Sequence, residues 1–367
     1  MSVLRIALRS FRNYAESGTE LDPGINVIAG DNAQGKTTLL EAVYMLTCAR
    51  SFRTRFDREL IRFGSGFAEL DADIFSGGRE QKLKILLRPG VKKQITLNGV
   101  KKSAGELSET LRAVLFCPDD LDLIRDGPDA RRRLMDMAIS QLRPGYAKLL
   151  SDFNRLYENK TRILRDFREN PAMFDTLDEF SDAIARVSAP VIRYRASFAR
   201  RLAREAKKIH RDFSGAGEEL DISYKTVGTV TDPEAPAAEI YVQLCEHQRA
   251  HREAELASGL CLCGAHKDDL EIEINGASAR RFASQGQTRT AALSVKLAER
   301  EIYLSETGEY PVLLLDDVLS ELDARRQEFV LNRIGGGQTL ITCCEDGQIA
   351  RKTGGRVILV RGGEIVK

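Results

Sequence analysis

Apolar residues recur along this chain at two different spacings, and the change from one to the other divides it into three stretches. From Val3 to Phe75 the spacing is close to two. Leu4, Ile6 and Leu8 alternate with other residues, Gly24 to Ala29 is a short apolar run, and Phe67 to Phe75 alternates again. These patterns predict strands, with one helix among them over Thr38-Leu39-Leu40-Glu41-Ala42-Val43. Ile95-Thr96-Leu97 meets Asn98-Gly99, which predicts a hairpin because both turn residues accept positive φ. After about Asp120 long, charged, glycine-poor stretches predict helices as far as Phe213. Gly215, Gly217, Gly228 and Pro233 to Pro236 predict turns, and one more charged helix runs through Gln243 to Leu256. From Asp268 the strand pattern returns. Leu270-Ile272-Ile274 ends at Asn275-Gly276, then come a helix from Thr288, the run Val312 to Leu315, the strand Leu340-Ile341-Thr342 and a terminal hairpin through Gly362-Gly363.

Composition changes this picture little. At 367 residues the chain exceeds one typical domain, and with 43% hydrophobic and 30% charged residues the bulk of it folds. The formal charge of +1 means that contact with nucleic acid requires a local basic patch, since the overall field is close to neutral. Met1 to Arg5 lacks the apolar run of a signal peptide and no later stretch has the length of a membrane span, so the expected location is the cytosol. The seven cysteines are expected to be free thiols. Cys261-Leu262-Cys263, downstream of His247 and His251, is one residue short of zinc-knuckle spacing.

Three motifs carry chemistry. Gly30-Asp31-Asn32-Ala33-Gln34-Gly35-Lys36-Thr37, followed by Thr38, fits the Walker A pattern and lies between a predicted strand and a predicted helix. Its backbone N–H groups would cradle phosphates, Lys36 would supply a cation to the β- and γ-phosphates, and the Thr37 hydroxyl would ligate Mg²⁺. Val312 to Leu315 ends in Asp316-Asp317, as a Walker B strand does: Asp316 would hold the Mg²⁺ shell, and Asp317 would orient or deprotonate water. Ser284-Gln285-Gly286-Gln287, ahead of a helix and between the other two in order, resembles the signature of ABC ATPases, and Ser320-Glu321-Leu322-Asp323 stands where that class has its D-loop. In that class the signature reaches the γ-phosphate of ATP held by a second subunit, so ATP would close a homodimer.

Further stretches resemble the RecF family: Phe11-Arg12-Asn13-Tyr14, Asn32-Ala33-Gln34, Arg50-Ser51-Phe52-Arg53, Phe116-Cys117-Pro118-Asp119-Asp120-Leu121, Gly127-Pro128 through Arg131-Arg132-Arg133, and Gly264-Ala265-His266-Lys267-Asp268-Asp269-Leu270. The resemblance covers the whole chain. It implies an α/β ABC-type P-loop ATPase core split in sequence, residues 1–120 and 263–367, with a mainly α-helical lobe inserted over 121–262. It also implies an ATP- and DNA-binding protein of repair and replication restart. Such a protein acts at single-stranded gaps, duplex or junctions, and with RecR and RecO favours RecA assembly. Two departures from the ABC pattern imply slow hydrolysis: Asp317 stands where transporters have glutamate, and Thr342-Cys343-Cys344-Glu345 lacks the switch histidine. Pro118-Asp119-Asp120 is the expected region of the Mg²⁺-sensing glutamine.

For DNA, helical projection puts Arg193, Arg200, Arg204, Lys207 and Arg211 on one stripe, flanked by Arg201 and Lys208, with Val191, Phe198, Leu202, Ala206, Ile209 and Phe213 opposite. That stripe and Arg131, Arg132 and Arg133 are the candidate phosphate contacts. A transporter subunit is the first alternative, but Lys36 and Ser284 stand 248 positions apart, far more than its compact insert needs. A chromosome-structural ATPase of the SMC kind is the second, although this lobe is too short and too interrupted by Gly and Pro for long heptads. A small-molecule kinase would have no signature.

Overall fold

The computed structural model describes the chain apart from Arg168, Asn170, Ala216, Glu345 and Lys367, and gives Pro171, Ala172, Asp346, Gly347, Gln348 and Ala350 by backbone alone. In chain order, strands β1 (Ser2–Phe11), β2 (Tyr14–Glu20) and β3 (Ile25–Ala29) precede helix α1 (Lys36–Cys48). Strands β4 (Ala68–Ser76), β5 (Arg79–Arg88), β6 (Val91–Leu97), β7 (Val100–Lys102) and β8 (Ala113–Phe116) follow. Next come α2 (Pro128–Leu142), α3 (Tyr146–Asp166), α4 (Leu177–Ser214), β9 (Leu220–Lys225), α5 (Ala237–Ser258), β10 (Asp269–Ile274), β11 (Ala277–Ser278), α6 (Ala279–Phe282) and α7 (Gln285–Thr307). The chain closes with β12 (Val312–Leu315), α8 (Ala324–Arg333), β13 (Thr339–Cys343), α9 (Asp346–Thr353), β14 (Arg356–Arg361) and β15 (Glu364–Val366). Two compact units result: Met1–Asp122 with Ala292–Lys367, and Leu123–Ala291.

The first unit contains two sheets. One has the order β15-β14-β3-β13-β12-β8, parallel from β14 to β8, so strands from both ends of the chain interleave and neither end can form it alone. Strands β8, β12 and β13 are buried at every residue. Burial on both faces erases alternation, and that is why Ala113–Phe116 escapes a period-two reading. The other sheet is antiparallel, in the order β2-β1-β4-β5-β6-β7. A register shift between Val3 and Arg5 puts Val3, in place of Leu4, on the buried side with Ile6 and Leu8. The hairpin turn after β6 has Asn98 and Gly99 at φ of 51° and 79°.

In the second unit α4 is a 38-residue helix whose Val191, Phe198, Leu202, Ala206, Ile209 and Phe213 are buried, while Arg193, Arg200, Arg204, Lys207 and Arg211 are exposed. Helical periodicity alone predicts that division. Strand β9 comes from the stretch read as turns. It pairs with β10, and β11 completes the order β11-β10-β9. Leu270-Ile272-Ile274 is therefore a strand of the second unit, and the boundary with the rest of the core falls between Ala291 and Ala292. The partner of so short a strand is chosen by tertiary pairing, which its local pattern does not encode. Among the described residues no helix is long and apolar enough to cross a membrane.

Candidate nucleotide-binding site

Strand β3 delivers the loop from Gly30 to Gly35, and α1 begins at Lys36. Two glycines are required here. A Cβ on Gly30 (φ 155°) would run into the Val360 carbonyl, and one on Gly35 (φ 118°) would lie 2.7 Å from Asn13 Nδ2. The loop is braced from outside. Asn13 Nδ2 donates to the Gln34 carbonyl at 3.0 Å, Tyr14 Oη to the Gly35 carbonyl at 3.0 Å, Gly362 N to Gln34 Oε1 at 2.6 Å and Gly363 N to the Gln34 carbonyl at 2.9 Å. Asn13 and Tyr14, first noted only as landmarks, thus hold the loop in shape together with the C-terminal hairpin, and both act on the loop's own backbone at Gln34 and Gly35.

Lys36 Nζ donates to the carbonyls of Gly30 (2.7 Å) and Asp31 (3.1 Å) and lies 3.5 Å from Cys344 Sγ, whose thiol donates to Asn32 Oδ1 at 3.0 Å. Cys344 therefore stands beside Lys36 in the segment where ABC transporters have a histidine; Glu345 lies outside the described residues. Thr37 Oγ1 donates to Asp316 Oδ1 at 2.9 Å, and Thr342 Oγ1 donates to the same oxygen at 3.0 Å. Walker A, Walker B and strand β13 meet at one carboxylate. Burial pushes the Asp316 carboxyl up, against the hydroxyls of Thr37 and Thr342, because a charge in that position lacks water. Asp317 takes a left-handed backbone (φ 51°), fixed by its N–H on Thr342 Oγ1 (2.7 Å) and by Ser320 Oγ on its carbonyl (2.6 Å). Strain at such a position persists only where neighbours hold it. Asp323 caps α8, accepting from Arg326 N at 2.9 Å.

A cleft of about 830 Å³ opens over this loop, lined among others by Thr38, Asn32, Ala33 and Asp317. Arg12, Arg53, Arg58 and Phe63 also line it, and only Arg12 and Arg53 fall in stretches that the sequence had singled out. Arg12 makes a two-pronged ion pair with Glu41, which is fully buried on α1 and is reached as well by Arg53 and Ser51. Asp120 accepts from Cys117 N at 2.9 Å beside the end of β8, and Asp119 is exposed.

In the second unit Ser284 and Gln287 form a reciprocal cap on α7. Ser284 N donates to Gln287 Oε1 at 2.9 Å and Gln287 N to Ser284 Oγ at 3.2 Å, while Gln285 is exposed and Gly286 half-buried. Of the candidate DNA contacts, Arg131 is withdrawn. It is 3% exposed, pairs through two nitrogens with Asp269 and donates to the Leu123 and Asp126 carbonyls. Arg132 is also committed, to Asp129 and the Asp268 carbonyl, and Arg133 is exposed. The triplet reads as a basic run because sequence does not reveal that two of the three turn inward. On α4, Arg200 pairs with Glu234, Arg204 with Glu205, and Lys207 with Glu219 and Asp221. Arg193 and Arg211 have no acidic partner among the described residues. Exposed pairs of this kind are weak and leave the stripe available to phosphates.

The interleaved sheet, the braced loop and the shared Asp316 define a P-loop ATPase of the ABC type, its core built from both ends of the chain. The family model described as RecF/RecN/SMC N terminal domain matches residues 2–358. The chain is 38% identical to the DNA replication and repair protein RecF of Acetivibrio thermocellus, over 98% of each chain, and 40% identical to that of Lactobacillus johnsonii, over 93% of this chain and 92% of the other. A solved structure of the recombination mediator protein RecF-ATPrS in the RecFOR pathway superposes with a TM-score of 0.91 at 32% identity, covering 99% of this chain and 97% of that one. An Smc head domain from Pyrococcus furiosus shares the fold, with a TM-score of 0.56 at 17% identity. The chain belongs to the RecF family.

Proposed function

We propose that the protein is a slow, ATP-driven switch on DNA. ATP occupies the cleft over Gly30 to Thr38, and Ser284 to Gln287 of a second copy closes on its γ-phosphate. The resulting homodimer holds DNA at gaps or junctions until hydrolysis reopens it. The observation that carries this reading is the Thr37–Asp316 contact at 2.9 Å, which joins the two phosphate- and metal-handling motifs around one buried carboxylate. A carboxylate that burial penalises, beside a hydroxyl oxygen, is the donor set that a hard cation favours. Mg²⁺ held by Thr37, Asp316 and the nucleotide would neutralise charge on the transferring phosphoryl group. Lys36, now on loop carbonyls, would turn to phosphate oxygens. Asp317, whose fixed backbone aims it into the cleft, would orient water. Ser320 and Asp323, which hold the turn after Asp317 and the start of α8, would form the D-loop. An aspartate base of short reach and a thiol in place of histidine favour slow turnover. Action with RecR and RecO to favour RecA assembly on single strands follows from family membership. Solved structures of RecF-ATPrS and RecF-ATP in the RecFOR pathway support a nucleotide at this loop.

The test is molecular mass in solution with and without Mg·ATP, with and without gapped duplex, for wild type, Lys36→Met and Ser284→Arg. The reading expects an ATP-dependent dimer for wild type and monomers for both variants, with ATP still bound by Ser284→Arg. A wild type that stays monomeric with ATP and DNA both bound would end the clamp mechanism.

A further inference from the structure

The charges on the antiparallel sheet of the first unit are distributed unevenly. Over β1 and β4 they cancel across strands: Arg5 pairs with Asp71 and Asp73, Lys82 lies 3.7 Å from Asp71, and Lys84 pairs with Glu69 at 2.8 Å. Towards the far edge the strands carry few acids of their own, and of their cations Lys93 pairs with Asp57 and Lys102 with Glu106, each at 2.9 Å, both acids outside the sheet. Between Arg79 and Lys102 the sequence has eight lysines and arginines and one acid, Glu80. Arg88, Lys92 and Lys101 are exposed and have no acidic partner among the described residues. The register puts Lys84 opposite Thr96 and Thr96 opposite Lys101, so these two cations stand in one cross-strand row, roughly 10 Å apart for two strand spacings. Period-two alternation sets Lys92 on the same face as Gln94 and Thr96, and Arg88 and Lys92 flank the Pro89-Gly90 turn.

Lysines on an edge strand discourage sheet-to-sheet pairing, and that accounts for Lys101 on β7. It also reaches Lys92, because β6 meets β7 only from Ile95 to Leu97, but it does not account for Arg88, which ends a strand paired with β4 on one side and β6 on the other. Repulsion among unpaired like charges costs stability, so a surface of this kind is favoured by a polyanion that fits it. We propose that the outer half of this sheet, β5 to β7, is a binding surface for the sugar–phosphate backbone of duplex DNA. This rests on the DNA-associated reading above and adds a surface that neither the α4 stripe nor the arginine triplet includes. The duplex is favoured over a single strand because no aromatic residue occurs between Arg79 and Lys102. Single strands are held chiefly by stacking on aromatic rings, whereas duplex backbone needs only spaced cations.

The experiment is fluorescence anisotropy with a labelled 30-base-pair duplex of arbitrary sequence and with 30-mer oligo-dT. It is run across a salt series for the full chain and for Arg88→Ala/Lys92→Ala/Lys101→Ala, with thermal melts and the ATP-dependent mass measured in parallel. Among the described residues none of the three side chains makes a hydrogen bond or an ion pair. The surface predicts duplex affinity reduced more than about tenfold at 100 mM salt, and a salt slope shallower by about three, one for each phosphate that the variant no longer neutralises. Melting, oligo-dT affinity and ATP-dependent mass would stay as in wild type. Duplex affinity and slope unchanged in the variant would overturn the proposal and leave the patch to an acidic protein; equal losses for duplex and oligo-dT would overturn the choice of duplex. Loss of ATP-dependent dimerisation in wild type, with the duplex difference intact, would remove the clamp and keep the surface.

Discussion

Charged side chains cluster in both units, and the two clusters are built in opposite ways. Around the nucleotide loop Lys36, Thr37 and Asp317 face an open cleft, and Lys36 rests on backbone carbonyls that a phosphate can replace. In the second unit Arg195 sits between Asp136 (2.8 Å) and Asp268 (2.8 Å), with its guanidinium also on the Ala265 carbonyl, and Asp268 accepts from Thr226 at 2.7 Å. Arg131 and Asp269 continue that network. Burial pushes the Asp268 carboxyl up while Arg195 pulls it back, so the acid depends on its partner. A site keeps donors that an incoming ligand can claim; a buried network uses them up. Gly127 to Arg133 and Gly264 to Leu270, which resemble family landmarks as clearly as Walker A does, belong to the second kind.

The comparison can be broken most decisively in the network. Asp268→Ala takes away one of the two carboxylates that hold the buried Arg195, leaving Asp136, and should cost about 2–3 kcal/mol in denaturant unfolding; a loss under about 1 kcal/mol would mean that the network is loose enough to admit solvent. Asp316→Asn should do the reverse. It removes a charge that burial disfavours, so the melt stays within about 1 kcal/mol of wild type while ATP turnover falls about 100-fold, or roughly 3 kcal/mol of barrier. A large drop in melting temperature there would show Asp316 to be structural.

His266 gives the pH test. Burial lowers its pKa to about 4, its ring is tilted against that of Tyr157 with centroids 4.4 Å apart, and its Nε2 lies 2.9 Å from the Cys261 carbonyl. Between pH 6.5 and about 4 the unfolded chain holds this proton and the folded one does not. Stability should therefore decline as pH falls through that window, by roughly 3 kcal/mol at most. His266→Phe should flatten the decline measured by urea unfolding at fixed pH steps, and an unchanged profile would acquit His266. The smallest effect is expected at Asp323→Ala, where loss of the α8 cap costs about 1 kcal/mol; turnover lost beyond that amount would mark Asp323 as more than a cap.

Much of this was legible beforehand where the information is local. The Walker A loop, the buried strand ending in Asp316-Asp317, the Asn98-Gly99 turn and the two faces of α4 each depend on neighbours within a few residues or on a fixed period, so the letters alone state them. Strand β8 was not legible, because burial on both sides gives an apolar run that is too short to assign. Strand β9 was not, because its partner lies more than forty residues away. Phe63 and Arg58 line the cleft without belonging to any stretch that the sequence had marked.

By itself, the sequence determined that this chain carries a phosphate-binding loop, a carboxylate-ended strand, a helix-capping signature between them and a basic-faced helix. Backbone conformation and periodicity are set by adjacent residues and need no knowledge of the fold. Only the tertiary structure decided that Thr37 and Thr342 share Asp316, that Gly362 and Gly363 brace Gln34, that Arg131 is held by Asp269, and that Arg88, Lys92 and Lys101 have no acid to answer them among the described residues. Each of those facts depends on which distant residues come within hydrogen-bonding reach, and that is fixed by strand order and packing.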